Sequence, residues 1–187
     1  MKLILASASP RRSALLAQAG LDFTVRPADA DETLENNLLP NEAVQTLALR
    51  KARAASNNSG CSDDLIIAAD TVVALGNTIF GKPASREDAV TMLRTLSGKT
   101  HQVCTGVCLY RSENKMDLFS CQTDVTFFSL TDAEINAYLD SEEYLDKAGA
   151  YGIQGLGAVL VEKIHGDYNN VVGLPLSQVV RRLKAFI

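Results

Sequence analysis

A mixed-sheet protein of the α/β (α+β) class is what this sequence predicts, and three observations carry the prediction. Short apolar runs with strand character interleave with segments that have helical periodicity and helix caps. Two long runs, QVCTGVCLY (102–110) and MDLFSCQTDVTFFSL (116–130), alternate well enough to be paired strands around the turn SENK. No internal repeat or low-complexity tract interrupts the pattern. At 187 residues, against roughly 150 per domain, the chain is one domain or two intimately joined lobes.

Each element follows from local chemistry. LILA (3–6) reads as a short buried strand, and a helix follows from Pro10 to Ala19, with Ser9 as N-cap, proline at the first helical position and Gly20 as terminator. DFTV (22–25) is a second strand. After a polar, acidic loop over 29–37, a helix spans Asn41 to Ala55, and SNNSGCSDD (56–64) is the clearest solvent loop. LIIAADTVVAL and NTIF flank Gly76-Asn77, the two-residue loop of a tight hairpin that sets Leu75 opposite Thr78 and, by extension, Thr71 opposite Lys82. Ser85 with Asp88, and Thr131 with Glu134, have the capping-box spacing for helices reaching Leu96 and Leu139. The glycine-rich AGAYGIQGLG (148–157) precedes a strand AVLVEKI (158–164), and a last helix begins at Pro175, with Leu176, Val179, Val180 and Leu183 on one face.

Composition narrows the function. A 47% hydrophobic, 21% charged chain is an ordinary globular one that buries a core without staples. Net charge −4 and the absence of Trp argue against nucleic acid and against an anionic membrane surface, which need clustered Lys and Arg. The apolar run at the N-terminus is too short for a signal peptide or a membrane span, so a cytoplasmic location is expected. Cys61, Cys104, Cys108 and Cys121 contain no CxxC pair and are expected as reduced thiols, mostly buried, rather than zinc ligands or disulfides.

Four places break local structural preference, which is where function concentrates. SASPRR (7–12) sets Arg11 and Arg12 in a helix's first turn, where the macrodipole disfavours cations unless an anion is present. Free N–H groups, the Ser7 and Ser9 hydroxyls and two guanidinium groups suit a phosphate there; the alternative is a pair of solvent-facing arginines. Lys51 falls on the apolar stripe Val44, Leu47, Ala48, Ala52, Ala55, whereas Arg50 and Arg53 lie off it. Such a lysine either snorkels to water, the commoner case, or neutralises a buried anion. Asp70 interrupts a strongly apolar strand, and is either a structural acid held by backbone N–H groups or a functional carboxylate. Lys82, in GKP, comes beside Asp70 if the hairpin register continues to it.

Other candidates fail or stay ambiguous. SGKT (97–100) lacks the earlier glycine of a P-loop, since Leu93 stands there, and a strand follows it. His101 and His165 occupy strand positions without nucleophile partners at informative spacing, so a hydrolase triad has no support, and His165 is expected to face solvent. Gln154 either reads a base edge or caps a turn.

SASPRR, DADET (29–33), AADTVV (68–73), GKP, AGAYGIQG and GDYNNVVGLPL (166–176), in that order, resemble the motifs of the Maf family of nucleoside triphosphate pyrophosphatases over residues 2–186. The resemblance implies a single domain over 1–187 with two α/β lobes, an elongated twisted mixed sheet and a central cleft, similar to inosine triphosphate pyrophosphatase-like folds. It implies hydrolysis of dTTP and UTP, with modified pyrimidine nucleotides as further candidates, to monophosphate and pyrophosphate in nucleotide-pool sanitation. The other function class is a nucleotide-binding regulator of cell division with little turnover. By motif match, Asp70 corresponds to the catalytic proton acceptor, Ser9, Arg11, Arg12, Glu32, Lys51 and Lys82 to the polar cleft, and Arg11, Thr71 and Gln154 to positions of base choice. Arg11, Arg12, Lys51 and Lys82 are then expected on the polyphosphate, and Mg2+ or Mn2+ on Glu32 or Asp70. The partner is the nucleoside triphosphate, and a homodimer is an allowed assembly. If Lys51 is a phosphate ligand, Lys51→Met keeps the stripe intact and the helix holds or gains stability.

Overall fold

In a computed structural model, which describes residues 2–34, 38–57 and 64–186, apolar strands with β-branched residues assemble into one seven-stranded mixed sheet. The strands are β1 (Leu3–Leu5), β2 (Thr24–Val25), β3 (Leu65–Leu75), β4 (Thr78–Phe80), β5 (Thr100–Ser112), β6 (Lys115–Phe127) and β7 (Val161–His165). Their order is β2-β1-β3-β5-β6-β7, with β4 paired to β3. β1 runs parallel to β2 and β3, whereas β4 runs antiparallel to β3 and β7 antiparallel to β6.

The helices are α1 (Pro10–Gln18), α2 (Pro40–Asn57), α3 (Arg86–Leu96), α4 (Asp132–Leu139), α5 (Tyr168–Val172) and α6 (Leu176–Leu183). Local signals place most of their ends. The Ser9 side chain accepts from the Arg12 N–H, Gly20 takes φ +69° after α1, and Thr131 and Glu134 close a reciprocal capping box on α4. At α3 the Asp88 N–H reaches Ser85 Oγ, but the Asp88 carboxylate turns back to Ala84 N, one residue before the expected partner.

Three expectations change. The second strand shrinks to Thr24–Val25. α2 continues to Asn57, so Ser56 and Asn57, expected in a loop, are helical; positions 58–63 of that expected loop, Cys61 among them, lie outside the described residues, as do 35–37. Ala158–Leu160, expected to open a strand, finish a 3-10 turn over Gly155–Leu160, and β7 starts at Val161. Of the thiols described, Cys104 and Cys108 are buried and Cys121 is partly so, all reduced.

The chain divides into two compact units. The first comprises Met1–Thr71, Thr105–Cys121 and Gly173–Ile187, and the second Val72–Cys104 and Gln122–Val172. The core of the second unit gathers Leu93, Leu96, Val103, Phe127, Ile135, Leu139 and Tyr151. That of the first is built from small residues, Ala48, Ala52 and Ala55 of α2 against Ile66 and Ala68 of β3 and Cys108 and Tyr110 of β5.

Small side chains bring α2 close to the sheet, and Gly106 sets how close. A Cβ at position 106 would meet the Val44 carbonyl oxygen at 2.3 Å and Gln45 N at 2.7 Å, both backbone atoms of α2 that cannot swing aside. Gly106→Ala is therefore expected to push α2 outward and cost about 1–3 kcal/mol, a fall in Tm of about 2–12 °C for a chain of this size. A variant melting with the wild type in a calorimetric scan would show that α2 has room to spare.

Candidate active site

Two sequence periods decide what meets what in the first unit. Side chains of a strand alternate faces, so Ile66, Ala68 and Asp70 share one face and Ile67, Ala69 and Thr71 the other. On α2, Lys51 lies at helical spacing from Ala48 and Ala55 and beside Ala52. Ala48, Ala52 and Ala55 pack on Ile66 and Ala68, so the next residue on that strand face, Asp70, comes up against Lys51.

Lys51 Nζ stands 2.5 Å from Asp70 Oδ1, and the two side chains are each 15% exposed. The same ammonium lies 2.7 Å from Oε1 of Glu32, whose side chain is 64% exposed. Snorkelling into open water, the commoner fate of such a lysine, is thus not what happens here. The ammonium is shared by two carboxylates.

The opposite face of β3 holds a second polar group. β1 and β3 are parallel, so SASPRR leaves β1 on the side toward which β3 carries Asp70 and Thr71. Arg12 donates from Nη2 to Thr71 Oγ1 at 2.9 Å, from Nη1 to Ser7 Oγ at 3.2 Å and from Nε to the Gly173 carbonyl at 2.8 Å. Thr71 Oγ1 in turn lies 2.9 Å from Thr105 Oγ1, a fully buried hydroxyl. Burial lowers the Arg12 guanidinium's pKa below its ordinary value, and the attraction of Asp70 opposes the shift.

These bonds revise the expected anion cradle. Three of the five N–H groups of Arg12 go to protein acceptors on three chain segments, which makes it a brace between α1, β3 and the turn at Gly173. Ser7 Oγ serves both Arg12 and the Ser9 N–H, and Ser9 Oγ caps the helix, so neither hydroxyl stands idle. Arg11, in the same turn, is partly buried.

The second unit carries the remaining candidates. The β3–β4 register sets Leu75 opposite Thr78 and Val73 opposite Phe80 as expected, but β4 ends at Phe80, so the ladder never reaches Lys82, which is exposed in the following loop. Gln154 is exposed and makes no capping bond, which removes the turn-capping alternative. That task falls to Glu143, whose carboxylate accepts from Leu156 N at 3.0 Å and Gly157 N at 3.4 Å. His101 is a core residue, with Nε2 2.8 Å from the Tyr151 hydroxyl and a pKa that burial lowers to about 4, so it is neutral at physiological pH. His165 ends β7 in solvent, as expected.

Sequence reasoning missed Thr105 and Arg50. A threonine in a strand carries no signal until its cross-strand neighbour is known, and Arg50 donates from Nη1 to the carbonyls of Asp31 and Thr33, a contact across loop and helix. Among the described residues no group of three or more His, Cys, Asp or Glu side chains converges, and no helix is long and apolar enough to cross a membrane.

Comparison with known proteins adds a family. The model of the Maf-like protein family matches residues 2–186. Relatives from Bacillus anthracis and Bacillus thuringiensis subsp. konkukian, both named dTTP/UTP pyrophosphatase, are 47% identical over 185 residues, covering 99% of this chain and 95% of theirs. Among solved structures, a HAM1 protein from Coxiella burnetii superposes with a TM-score of 0.57 at 14% identity, covering 99% of both chains. The Ham1 protein of Staphylococcus aureus gives 0.54 at 14% identity over 86% of this chain and 80% of that one. At these identities the structural likeness speaks for the fold alone.

Proposed function

Since the chain belongs to the Maf-like protein family, we infer that it is a nucleoside triphosphate pyrophosphatase, hydrolysing dTTP and UTP to the monophosphate and pyrophosphate. The observation that carries this reading is near-full-length 47% identity to proteins of that named activity. The Asp70–Lys51–Glu32 group suits the chemistry, because it sets a fixed carboxylate beside a cation and a second carboxylate.

In the proposed mechanism Asp70 is the base. Lys51 engages Oδ1, which leaves Oδ2 to orient a water and accept its proton while the water oxygen attacks the α-phosphorus. The bond from that phosphorus to the bridging oxygen breaks, and pyrophosphate departs. Arg11, Ser9 and the two N–H groups that Arg12 does not spend on protein acceptors are assigned to phosphate oxygens. Lys82 is assigned to the same charge and Gln154 to the base, on the strength of their motifs. Thr71 is assigned to base choice on the same ground, although its hydroxyl also holds Arg12.

Two carboxylates at one ammonium fit a hard divalent cation that is held mainly by phosphate oxygens and by one or two protein oxygens, rather than an all-protein cage. Glu32 and Asp70 would hold Mg2+ or Mn2+, which supplies charge withdrawal from the phosphates.

The test is pyrophosphate release from a panel of nucleoside triphosphates with Mg2+. Thymine and uracil share an O2, N3–H, O4 edge that a glutamine amide and nearby backbone can match, and cytosine does not share it. The expected result is kcat/KM for dTTP and UTP at least about tenfold above CTP, ATP and GTP, with Gln154→Ala narrowing the gap. Equal rates with all five would sink the base assignment. Nucleotide binding without pyrophosphate release would identify a regulator instead.

A further inference from the structure

We propose that Arg50 is a positioning residue for Glu32, fixing the backbone on both sides of it so that its carboxylate reaches the Lys51–Asp70 pair. The inference rests on the role assigned above to Glu32.

Glu32 sits at the exposed crest of DADET, a loop with no strand or helix of its own. A free loop there would spread the carboxylate over many positions, since each unordered residue retains its backbone freedom. Two devices oppose that. Asp31 Oδ1 accepts from Thr33 N at 2.9 Å, closing a tight turn around Glu32. Arg50 Nη1 then donates to the Asp31 carbonyl at 3.1 Å and the Thr33 carbonyl at 2.5 Å, the residues immediately before and after Glu32.

Consecutive residues of α2 thus divide the work. Arg50 holds the loop backbone, and Lys51 takes the Glu32 side chain at 2.7 Å. α2 is itself seated on β3 through Ala48, Ala52 and Ala55, so the loop is referenced to the strand that carries Asp70. A guanidinium suits the task, because it is always charged and holds two carbonyls at once.

The experiment combines a double-mutant cycle with amide exchange. Arg50→Met is expected to lower kcat/KM for dTTP and to raise the Mg2+ concentration giving half-maximal activity, each about tenfold, the scale of losing a group that orients a metal ligand. Exchange in peptides covering residues 29–34 should quicken, with the rest of the chain unchanged, and Arg50→Lys should restore part of both effects. In a Glu32→Gln background Arg50→Met should cost nothing further in activity, because the arginine acts through the carboxylate. Unchanged exchange over 29–34, fully additive losses, or a wild-type Arg50→Met beside an impaired Glu32→Gln would overturn the proposal alone. Wild-type activity in Glu32→Gln would overturn the role of Glu32 itself and the proposal with it.

Discussion

Asp70→Asn is expected to lower kcat for dTTP at saturating Mg2+ by at least about 100-fold, the lower end of what a general base contributes. The amide keeps the shape and can still accept from Lys51 through its oxygen, and Lys51 retains Glu32 at 2.7 Å, so the fold should hold. The loss should therefore appear in turnover with little change in Tm. That separation matters, because Asp70 lies in the middle of β3, between Ala69 and Thr71, and a merely structural acid there would show the opposite pattern. Turnover within a few-fold of wild type would remove Asp70 as the base.

Lys51→Met is expected to cost both activity and stability. Read from the stripe alone, methionine extends an apolar face and α2 holds or gains stability. The structure reverses that expectation, because Lys51 is the cation between Asp70 and Glu32, and removing it leaves a carboxylate that is only 15% exposed without its partner. A cost of about 1–3 kcal/mol is the scale for losing a charged partner at a partly buried site, or about 2–12 °C in Tm. The matching double variant, Lys51→Met with Asp70→Asn, should recover part of it, since no buried charge is then stranded. Substrate KM should rise in both variants if Lys51 also meets phosphate. A Lys51→Met protein as stable as the wild type would mean that Asp70 finds its compensation in water.

Local rules fixed the elements whose signals are local. The Ser9 cap, the Gly20 stop, the Thr131–Glu134 capping box and the Gly76-Asn77 hairpin all appear where their residues put them, because each depends on atoms a few positions apart. β7 starts later than its apolar pattern predicts for a related reason. Ala158, Val159 and Leu160 are apolar enough for a strand, but the Glu143 carboxylate draws the preceding N–H groups into a 3-10 turn, and Glu143 is distant in sequence.

The candidate site divides in the same way. The sequence by itself singled out Asp70 and Lys51, because a charge in an apolar pattern is visible from its neighbours, and the two arginines, because cations in a helix's first turn oppose its dipole. What it could not determine was who answers each charge. A lysine on a packed stripe has two outcomes of similar local energy, water or an anion, and only the seating of α2 over Ile66 and Ala68 chose Asp70. For Arg12, likewise, only the parallel pairing of β1 and β3 brought Thr71 and Ser7 to it, and the turn at Gly173 supplied a third acceptor, partners that no local pattern names beside the phosphate assigned to its remaining N–H groups. Periodicity states which face a side chain occupies. Which two faces meet is settled by strand order and helix seating, and these depend on contacts between residues far apart in the chain that no local pattern encodes.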